Sequence, residues 1–203
     1  FIRLLDPGFR RAGVLAGKRL VETMCEVVGD PLIETLPIEF TAVAVDLQRQ
    51  REVWIQDGPL WDALRASFAI PGVFTPHVVN GRPLVDGGLL SPLPIAATRL
   101  SDASRLIAVD MHGWPSQPPG TPARQGEAQD DTGAAPRGLV DVMSRSLDTM
   151  QGQISRVQLA LDPPELVIHI PRDVCQFYEF WRAAELIDIG RHQAMRALDE
   201  AGY

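Results

Sequence analysis

The sequence is nearly devoid of lysine and poor in cysteine. Lys18 is its only lysine, the other basic residues are arginines that form no basic patch, and a net charge of −7 gives a pI near 5.1. An acidic chain without a basic patch does not attract the phosphate groups of nucleic acids, so the composition excludes nucleic-acid binding driven by charge. The two cysteines, Cys25 and Cys175, lie far apart and in no Cys-x-x-Cys or Cys/His spacing. They predict reduced thiols in a cytoplasmic protein, with neither a disulfide nor a metal site.

Long apolar segments and a natural start are also missing. No apolar run reaches the roughly 20 residues that a transmembrane helix needs. The chain begins at Phe1, without an initiator methionine or the layout of a signal peptide, so we expect it to be part of a longer protein. Its 203 residues, of which 45% are hydrophobic, suffice for one domain with a buried core.

Helix and strand patterns alternate along the chain. Helices are predicted over residues 17–28, 59–68, 139–161 and 180–199, and strands over residues 38–47, 51–56, 84–86, 105–110 and 165–170. A short polar turn separates the first two strands, which predicts a hairpin. Strands separated by helices indicate an α/β fold with a mainly parallel central sheet.

The composition changes sharply between residues 113 and 137. Nine of these 25 residues are glycine or proline, and Trp114 is the only large apolar side chain. We predict a flexible Pro/Gly-rich insertion there and no separate domain. In the long helix that follows, apolar residues recur at steps of four and three up to Leu161. Such a stripe beside a sheet predicts a face packed in the core, although the same pattern suits a partner or a membrane surface.

Three predicted strands end in an aspartate, at Asp46, Asp86 and Asp110. The carboxyl ends of parallel strands meet at one edge of a sheet, so these carboxylates are candidates for a shared site, including a Mg²⁺ site. No glycine-rich phosphate loop with a lysine accompanies them. For Asp46 and Asp110 the sequence favours a structural role, in which an aspartate at the start of a loop accepts backbone N–H bonds.

The stretch around Asp86 is unusual. In "GRPLVDGGLLSPL", residues 81–93, a short apolar strand runs into Asp86-Gly87-Gly88, and prolines follow. Asp-Gly is a common turn dipeptide because glycine accepts positive φ and the Asp side chain bonds its own backbone. A turn of this kind can also hold a catalytic carboxylate where the backbone must approach another group closely.

The longer segment from Ala63 to Ile95, "ALRASFAIPGVFTPHVVNGRPLVDGGLLSPLPI", resembles the C-terminal signature of the patatin-like phospholipase family. The likeness is greatest to bacterial members related to the esterase domain of neuropathy target esterase. Residues 40–58 resemble the preceding hairpin of the family, and "LIAVDM" resembles its next strand. The resemblance spans residues 11–111 well and the last helices more loosely. It implies a three-layer α/β/α fold in a single domain, residues 1–203, that lacks its N-terminal part.

The resemblance also implies a chemistry. Patatin-like enzymes are serine hydrolases that use a Ser-Asp dyad, and Asp86 matches the aspartate of that dyad. Gly87 and Gly88 match the two glycines that let the chain turn and aim the carboxylate. The implied substrates are acyl esters of lipids, no cofactor or metal is required, and peripheral membrane contact through the insertion or Phe74 is compatible with it.

The serine of the dyad is missing from its expected context. The family places it in Gly-x-Ser-x-Gly and places a Gly-Gly-Gly-x-Arg-Gly oxyanion loop before it, and this sequence contains neither. We expect both motifs to lie outside this chain, in the same protein or on an associated chain, so that the chain alone is inactive. Two alternatives stay open: a Ser-His-Asp esterase in which His112 or His192 follows Asp86, and a non-catalytic lipid- or partner-binding remnant.

Overall fold

The computed structural model of the protein describes residues 13–99, 101–115, 138–175 and 179–203. Contacts divide the chain into two units, Phe1–Leu100 and Ser101–Tyr203. The insertion predicted over residues 113–137 lies outside the described residues except for its first three, and the single-domain boundary of 1–203 stays a prediction.

The described part of the first unit contains six short strands and three α-helices. The strands are β1 (Gly13–Leu15), β2 (Ala42–Asp46), β3 (Arg51–Ile55), β4 (Gly72–Phe74), β5 (His77–Val79) and β6 (Arg82–Asp86), and the helices are α1 (Lys18–Val28), α2 (Leu60–Ser67) and α3 (Ile95–Thr98). Strands β3, β2, β6 and β5 form a four-stranded sheet in that order, and β1 pairs with β4.

The centre of the four-stranded sheet is apolar on both faces. All five residues of β2 are buried, and Leu84 and Val85 of the neighbouring β6 are 1% exposed. Helix α2 packs against β2 through its small residues Ala63 and Ala66, which belong to the same core cluster as Ala42 and Ala44. Because alanines leave little side chain between helix and strand, the two backbones lie close together.

The second unit is built on a parallel strand pair. Its elements are β7 (Ile107–Gly113), α4 (Leu139–Leu161), β8 (Leu166–Pro171) and α5 (Ala183–Ala201). Helix α4 contacts β7, and α5 contacts β8. The fully buried Ser155 of α4 donates its hydroxyl hydrogen bond to Oδ1 of the buried Asp110 over 3.0 Å. This bond fixes the face of α4 that meets the sheet.

The α/β fold class is confirmed. Parallel pairing is present in β1/β4 and β7/β8, whereas the four-stranded sheet is antiparallel throughout. Short turns explain two of the antiparallel pairs, β2/β3 and β5/β6, since a turn of a few residues can join only antiparallel neighbours. The four predicted helices are observed within a few residues of their predicted bounds, while β1, β4 and β5, each of three residues, were not predicted.

One interpretation of the sequence was wrong. The apolar stripe of α4 was expected to face the core, but over residues 142–161, where burial is described, the buried positions are Gly152 and Ser155, on the other side of the helix. The small Gly152 and the hydroxyl of Ser155 suit the contact with β7, because one permits close approach and the other satisfies Asp110.

Cys25 and Cys175 are free thiols, as predicted. Within the part of the chain that the structure describes, no helix combines the length and the apolar character needed to cross a membrane.

Arg65 joins three segments of the first unit. This buried residue of α2 donates hydrogen bonds to the backbone oxygens of Ala16 and Thr75, and its guanidinium stacks on Phe68 and Phe74 at 5.4 and 5.3 Å. It therefore holds the ends of β1 and β4 against the helix. A charged donor suits this role because several buried carbonyl groups need partners at once.

We predict that Arg65→Met destabilises the protein by about 2–3 kcal/mol, because buried carbonyl oxygens lose their donor. Urea unfolding followed by circular dichroism measures the change. The matched control is Arg51→Met, at an exposed arginine of β3, for which a change within about 0.5 kcal/mol is expected. Equal effects of the two substitutions would contradict the anchoring role.

Candidate active site

Asp86 is the last residue of the central strand β6 and caps the turn that follows. A short 3-10 helix, Gly87–Leu89, begins directly after it. Oδ1 of Asp86 accepts a hydrogen bond from the backbone N–H of Gly88 over 2.7 Å. The carboxylate is thereby held in one orientation by its own turn.

The turn is possible only with glycine at position 87. A Cβ atom on Gly87 would overlap the backbone carbonyl of Val43 in the adjacent strand β2. Gly87 is itself buried. The close approach of the two backbones therefore explains why the sequence removes the side chain directly after Asp86.

The backbone of Asp86 has a second attachment. Its N–H donates to the carbonyl oxygen of Ala69, just after α2, over 3.1 Å. Ala44 of β2 is its register partner on the other side. Asp86 is consequently fixed between the sheet and the end of α2, which leaves its side chain little freedom.

Asp86 lines a cavity of about 290 Å³. Its lining combines apolar side chains with a carboxylate and three hydroxyl groups: Phe40, Thr41, Ala42, Val43, Leu64, Ser67, Asp86, Gly87, Gly88, Ser91, Pro92 and Pro94. Of these described lining residues, Asp86 alone is ionisable. Small-molecule sites commonly join apolar walls with a few placed polar groups.

The surroundings alter the acidity of Asp86. Burial raises the pKa of its carboxyl above the ordinary value, and the hydrogen bond from the Gly88 N–H opposes this increase. A carboxylate with a raised pKa is a better proton acceptor than one in water. The cavity therefore gives Asp86 the property that a general base requires.

Asp46 and Asp110 do not share this site. Strands β2 and β6 are antiparallel, with Asp46 opposite Leu84, so the expectation that Asp46 and Asp86 end at one edge of a parallel sheet was wrong. Asp46 instead caps its own turn, accepting N–H bonds from Gln48 and Arg49. The side-chain hydrogen bond from Arg49 lowers its pKa.

The structural interpretation of Asp110 is likewise confirmed. It accepts the backbone N–H of His112 over 3.0 Å and, as described above, the hydroxyl of Ser155. Within the described residues, no group of three or more His, Cys, Asp or Glu side chains is arranged to hold a metal ion.

Two histidines of the described residues lie beside carboxylates. Nε2 of His77 lies 2.9 Å from Oδ1 of Asp62, and Nδ1 of His169 lies 3.2 Å from Oδ2 of Asp110. Both are engaged with carboxylates other than Asp86. His112 and His192 belong to the second unit, whereas Asp86 belongs to the first.

Sequence reasoning missed two side chains of the cavity. Ser67, the last residue of α2, and Ser91, in the loop after Asp86, both line the same cavity as Asp86. Ser67 lies 19 residues before Asp86 in the sequence, so its proximity follows only from the fold. The one available signal was their place at either end of the Ala63–Ile95 segment.

A buried strand that ends in a glycine-supported carboxylate beside a cavity is the candidate site of this α/β fold. The comparisons identify the family. The model of the patatin-like phospholipase family matches residues 1–99. An uncharacterized NTE family protein of Mycobacterium tuberculosis is 34% identical over 263 aligned residues, covering 98% of this chain and 73% of the relative. The chain therefore belongs to the patatin-like phospholipase family.

More distant relatives match about half of the chain. Neuropathy target esterase of Drosophila melanogaster is 27% identical over 113 residues, which are 55% of this chain and 8% of that protein. A lysophospholipase of Emericella nidulans is 26% identical over 107 residues, 53% of this chain and 7% of the relative. Family membership indicates a lipid hydrolase.

Gly87→Ala should destabilise the protein by about 1–3 kcal/mol, because the added methyl group overlaps the Val43 carbonyl and forces the backbones apart. Thermal unfolding measures this effect. Gly190→Ala is the control, since a Cβ at that position of α5 meets nothing within 4 Å, and alanine in a helix is expected to stabilise by about 0.5–1 kcal/mol. A neutral Gly87→Ala would contradict the close approach.

The raised pKa of Asp86 predicts how stability depends on pH. Such a carboxyl contributes its full stability when the pH is below the pKa that it has in the unfolded chain. This contribution is lost as the pH rises through the higher pKa of the folded state. Asp86→Asn keeps an acceptor for Gly88 and removes the buried charge. We therefore expect the variant to be more stable than the wild type at neutral pH and to lose this advantage in acid.

Asp46→Asn is the control of opposite sign. Because the pKa of Asp46 is lowered in the folded state, its carboxylate contributes stability when the pH is above the pKa of the unfolded chain. That stability is lost as the pH falls through the lower pKa of the folded state. This variant should be less stable than the wild type at neutral pH. Urea midpoints measured across the acid range test both, and the same pH trend in the two variants would refute the assignment for Asp86.

Proposed function

We propose that the protein is a serine hydrolase of lipid acyl esters in which Asp86 is the proton-transferring member of a Ser-Asp dyad. The observation that carries the proposal is the position of Asp86. It is the only ionisable side chain on the described wall of the cavity, and burial raises its pKa. Membership of the patatin-like phospholipase family supplies the reaction class.

The dyad divides the hydrolysis into two similar halves. The Asp86 carboxylate accepts the proton of the serine hydroxyl while the serine oxygen attacks the ester carbonyl carbon. When the tetrahedral adduct collapses, the bond to the alcohol breaks and Asp86 returns the proton to the departing oxygen. A water molecule then attacks the acyl-enzyme, again giving its proton to Asp86, and the serine leaves with that proton as the fatty acid is released.

The fixed backbone of Asp86 serves this cycle. Its hydrogen bonds to Ala69 and Gly88 hold the carboxylate in place while it gains and loses a proton. Since the Gly88 N–H occupies Oδ1, Oδ2 is the atom assigned to the serine. A fixed base is effective because reorientation is not needed at each step.

The nucleophile is assigned to a segment outside these 203 residues. None of the eight serines lies in Gly-x-Ser-x-Gly, and the glycine-rich oxyanion loop is absent as well. The segment that carries both motifs belongs either to the same protein or to an associated chain. The 203 residues alone are then inactive.

Phospholipids, lysophospholipids and simpler acyl esters are the proposed substrates. The names of the Drosophila and Emericella relatives, an esterase and a lysophospholipase, support this class. Phospholipid substrates reside in membranes, which supports peripheral membrane contact. The proposed location of the protein is the cytoplasm.

The test uses the full-length protein and a nitrophenyl ester of a short fatty acid. Asp86→Asn should lower kcat/KM by about 10²- to 10⁴-fold, the usual contribution of a general base. Asp46→Asn, at a buried aspartate of the same sheet, and His112→Ala should retain activity per folded molecule. Folding of each variant is checked by circular dichroism.

Three results would contradict the proposal in different ways. Undiminished activity of Asp86→Asn removes the dyad, whereas loss of activity in His112→Ala favours a Ser-His-Asp mechanism. Hydrolysis by the 203-residue chain alone, abolished by Ser67→Ala or Ser91→Ala, relocates the nucleophile to the cavity wall. Inactivity of the full-length wild type towards all acyl esters favours a binding remnant.

A further inference from the structure

Three hydroxyl groups line the cavity of the candidate site, and they differ in their hydrogen bonds. Oγ1 of Thr41 accepts a hydrogen bond from the Gln56 side chain over 3.2 Å. Ser91 is 4% exposed and lies in the turn that follows the carboxylate. The hydroxyl of Ser67 makes no hydrogen bond to any residue that the structure describes. Ser67 can therefore bind a molecule that enters the cavity.

The hydroxyl of Ser67 also departs from the usual bonding of a helical serine. A serine or threonine inside a helix commonly donates to a backbone carbonyl oxygen one turn earlier. Three other residues of this chain do so: Thr23 to Arg19, Ser146 to Val142 and Thr149 to Arg145. Ser67, the last residue of α2, does not, although it is half-buried. Its hydroxyl is thus available to the cavity that the residue lines.

The backbone fixes Ser67 relative to Asp86. Ala69, two residues after Ser67, accepts the N–H of Asp86 over 3.1 Å, and the N–H of Phe68 between them bonds back to Leu64 over 3.0 Å. The Ser67 hydroxyl and the Asp86 carboxylate line one cavity without a hydrogen bond to each other. A small molecule between them can bond to both, and the cavity of about 290 Å³ exceeds what one water molecule needs.

The proposed reaction requires a water molecule beside Asp86. In the second half of the reaction, the water oxygen forms a bond to the acyl carbonyl carbon while one of its protons passes to the carboxylate. The other hydrogen needs an acceptor, because a water held away from bulk solvent makes about three hydrogen bonds. Such an acceptor also turns a lone pair of the water towards the carbonyl carbon. An oxygen with no other partner, on the same wall as the base, suits this role.

We propose that Ser67 is a positioning residue that holds the deacylating water against Asp86. The inference rests on the proposed function and names a further residue of that same site. The Ser67 oxygen accepts the second hydrogen of the water. The proton taken up by Asp86 then passes to the nucleophilic serine as the bond between that serine and the acyl group breaks. Ser67 acts only after the acyl-enzyme has formed, because no water takes part in the first half of the reaction.

The test follows the release of nitrophenolate from a nitrophenyl ester by the full-length protein after rapid mixing. Ser67→Ala should lower the rate constant of deacylation about tenfold, since the loss of one hydrogen bond in the transition state corresponds to roughly that factor. The first turnover should keep its rate. We therefore expect a burst of nitrophenolate, a lower kcat and an unchanged kcat/KM. Acid quenching followed by mass spectrometry should show the acyl-enzyme accumulating.

Two further variants separate this role from a structural one. Ser67→Thr keeps a hydroxyl at the position and should deacylate at a rate close to that of the wild type. Ser146→Ala removes the same group from an exposed position of α4 and should leave both phases unchanged. Alanine favours the helical conformation, so both alanine variants are expected to fold, and circular dichroism checks this.

The outcomes distinguish the role of Ser67 from that of the dyad. A wild-type kcat in Ser67→Ala, with Asp86→Asn inactive, overturns the role of Ser67 and leaves the dyad intact. Loss of the first turnover in Ser67→Ala also overturns it, since Ser67 then acts in acylation. Full activity of Asp86→Asn refutes the dyad and this inference together. An acyl-enzyme that accumulates in Ser67→Ala but not in Ser67→Thr supports the assignment.

Discussion

The close approach of Gly87 to the Val43 carbonyl is the constraint on which the proposed site depends. It brings the end of β6 against β2 at a distance that no side chain at position 87 would allow. The chain must then turn immediately, and the Gly88 N–H becomes available to the Asp86 carboxylate. Because β2 is buried along its whole length, the sheet resists the displacement that a larger residue would demand. The packing of β6 against β2 therefore also determines the orientation of the Asp86 carboxylate.

Asp46 and Asp86 show how position decides the chemistry of the same side chain. Both follow a buried strand of one sheet, yet their pKa values shift in opposite directions. Asp46 receives two backbone N–H bonds and the guanidinium of Arg49, so its charged form is stabilised and it has little tendency to accept a proton. Asp86 has one backbone donor and is desolvated by burial beside the cavity. An aspartate used as a base needs the second environment.

Local sequence patterns predict most of the helices and the turn that holds Asp86. The helices, the β2–β3 hairpin and the carboxylate turn depend on residues close in sequence, such as the continuous apolar run of β2 and the Asp-Gly-Gly triplet. What escaped prediction depends on residues far apart. The antiparallel register of β2 and β6 separates Asp46 from Asp86, and the joint placement of Ser67 and Ser91 in the cavity needs the fold as a whole. Three-residue strands between prolines carry too short a pattern to be recognised.

Helix α4 explains why an apolar pattern alone does not identify a buried face. The pattern locates the stripe correctly, but Asp110 decides which side of the helix meets the sheet. A buried carboxylate at that position requires donors, and Ser155, the His112 backbone and His169 supply them. Turning the stripe towards β7 would remove the Ser155 hydroxyl and set methionine and leucine side chains against the charge. An unsatisfied buried carboxylate costs more free energy than a few apolar contacts contribute. The polar side of α4 therefore faces inward, and its apolar side is exposed.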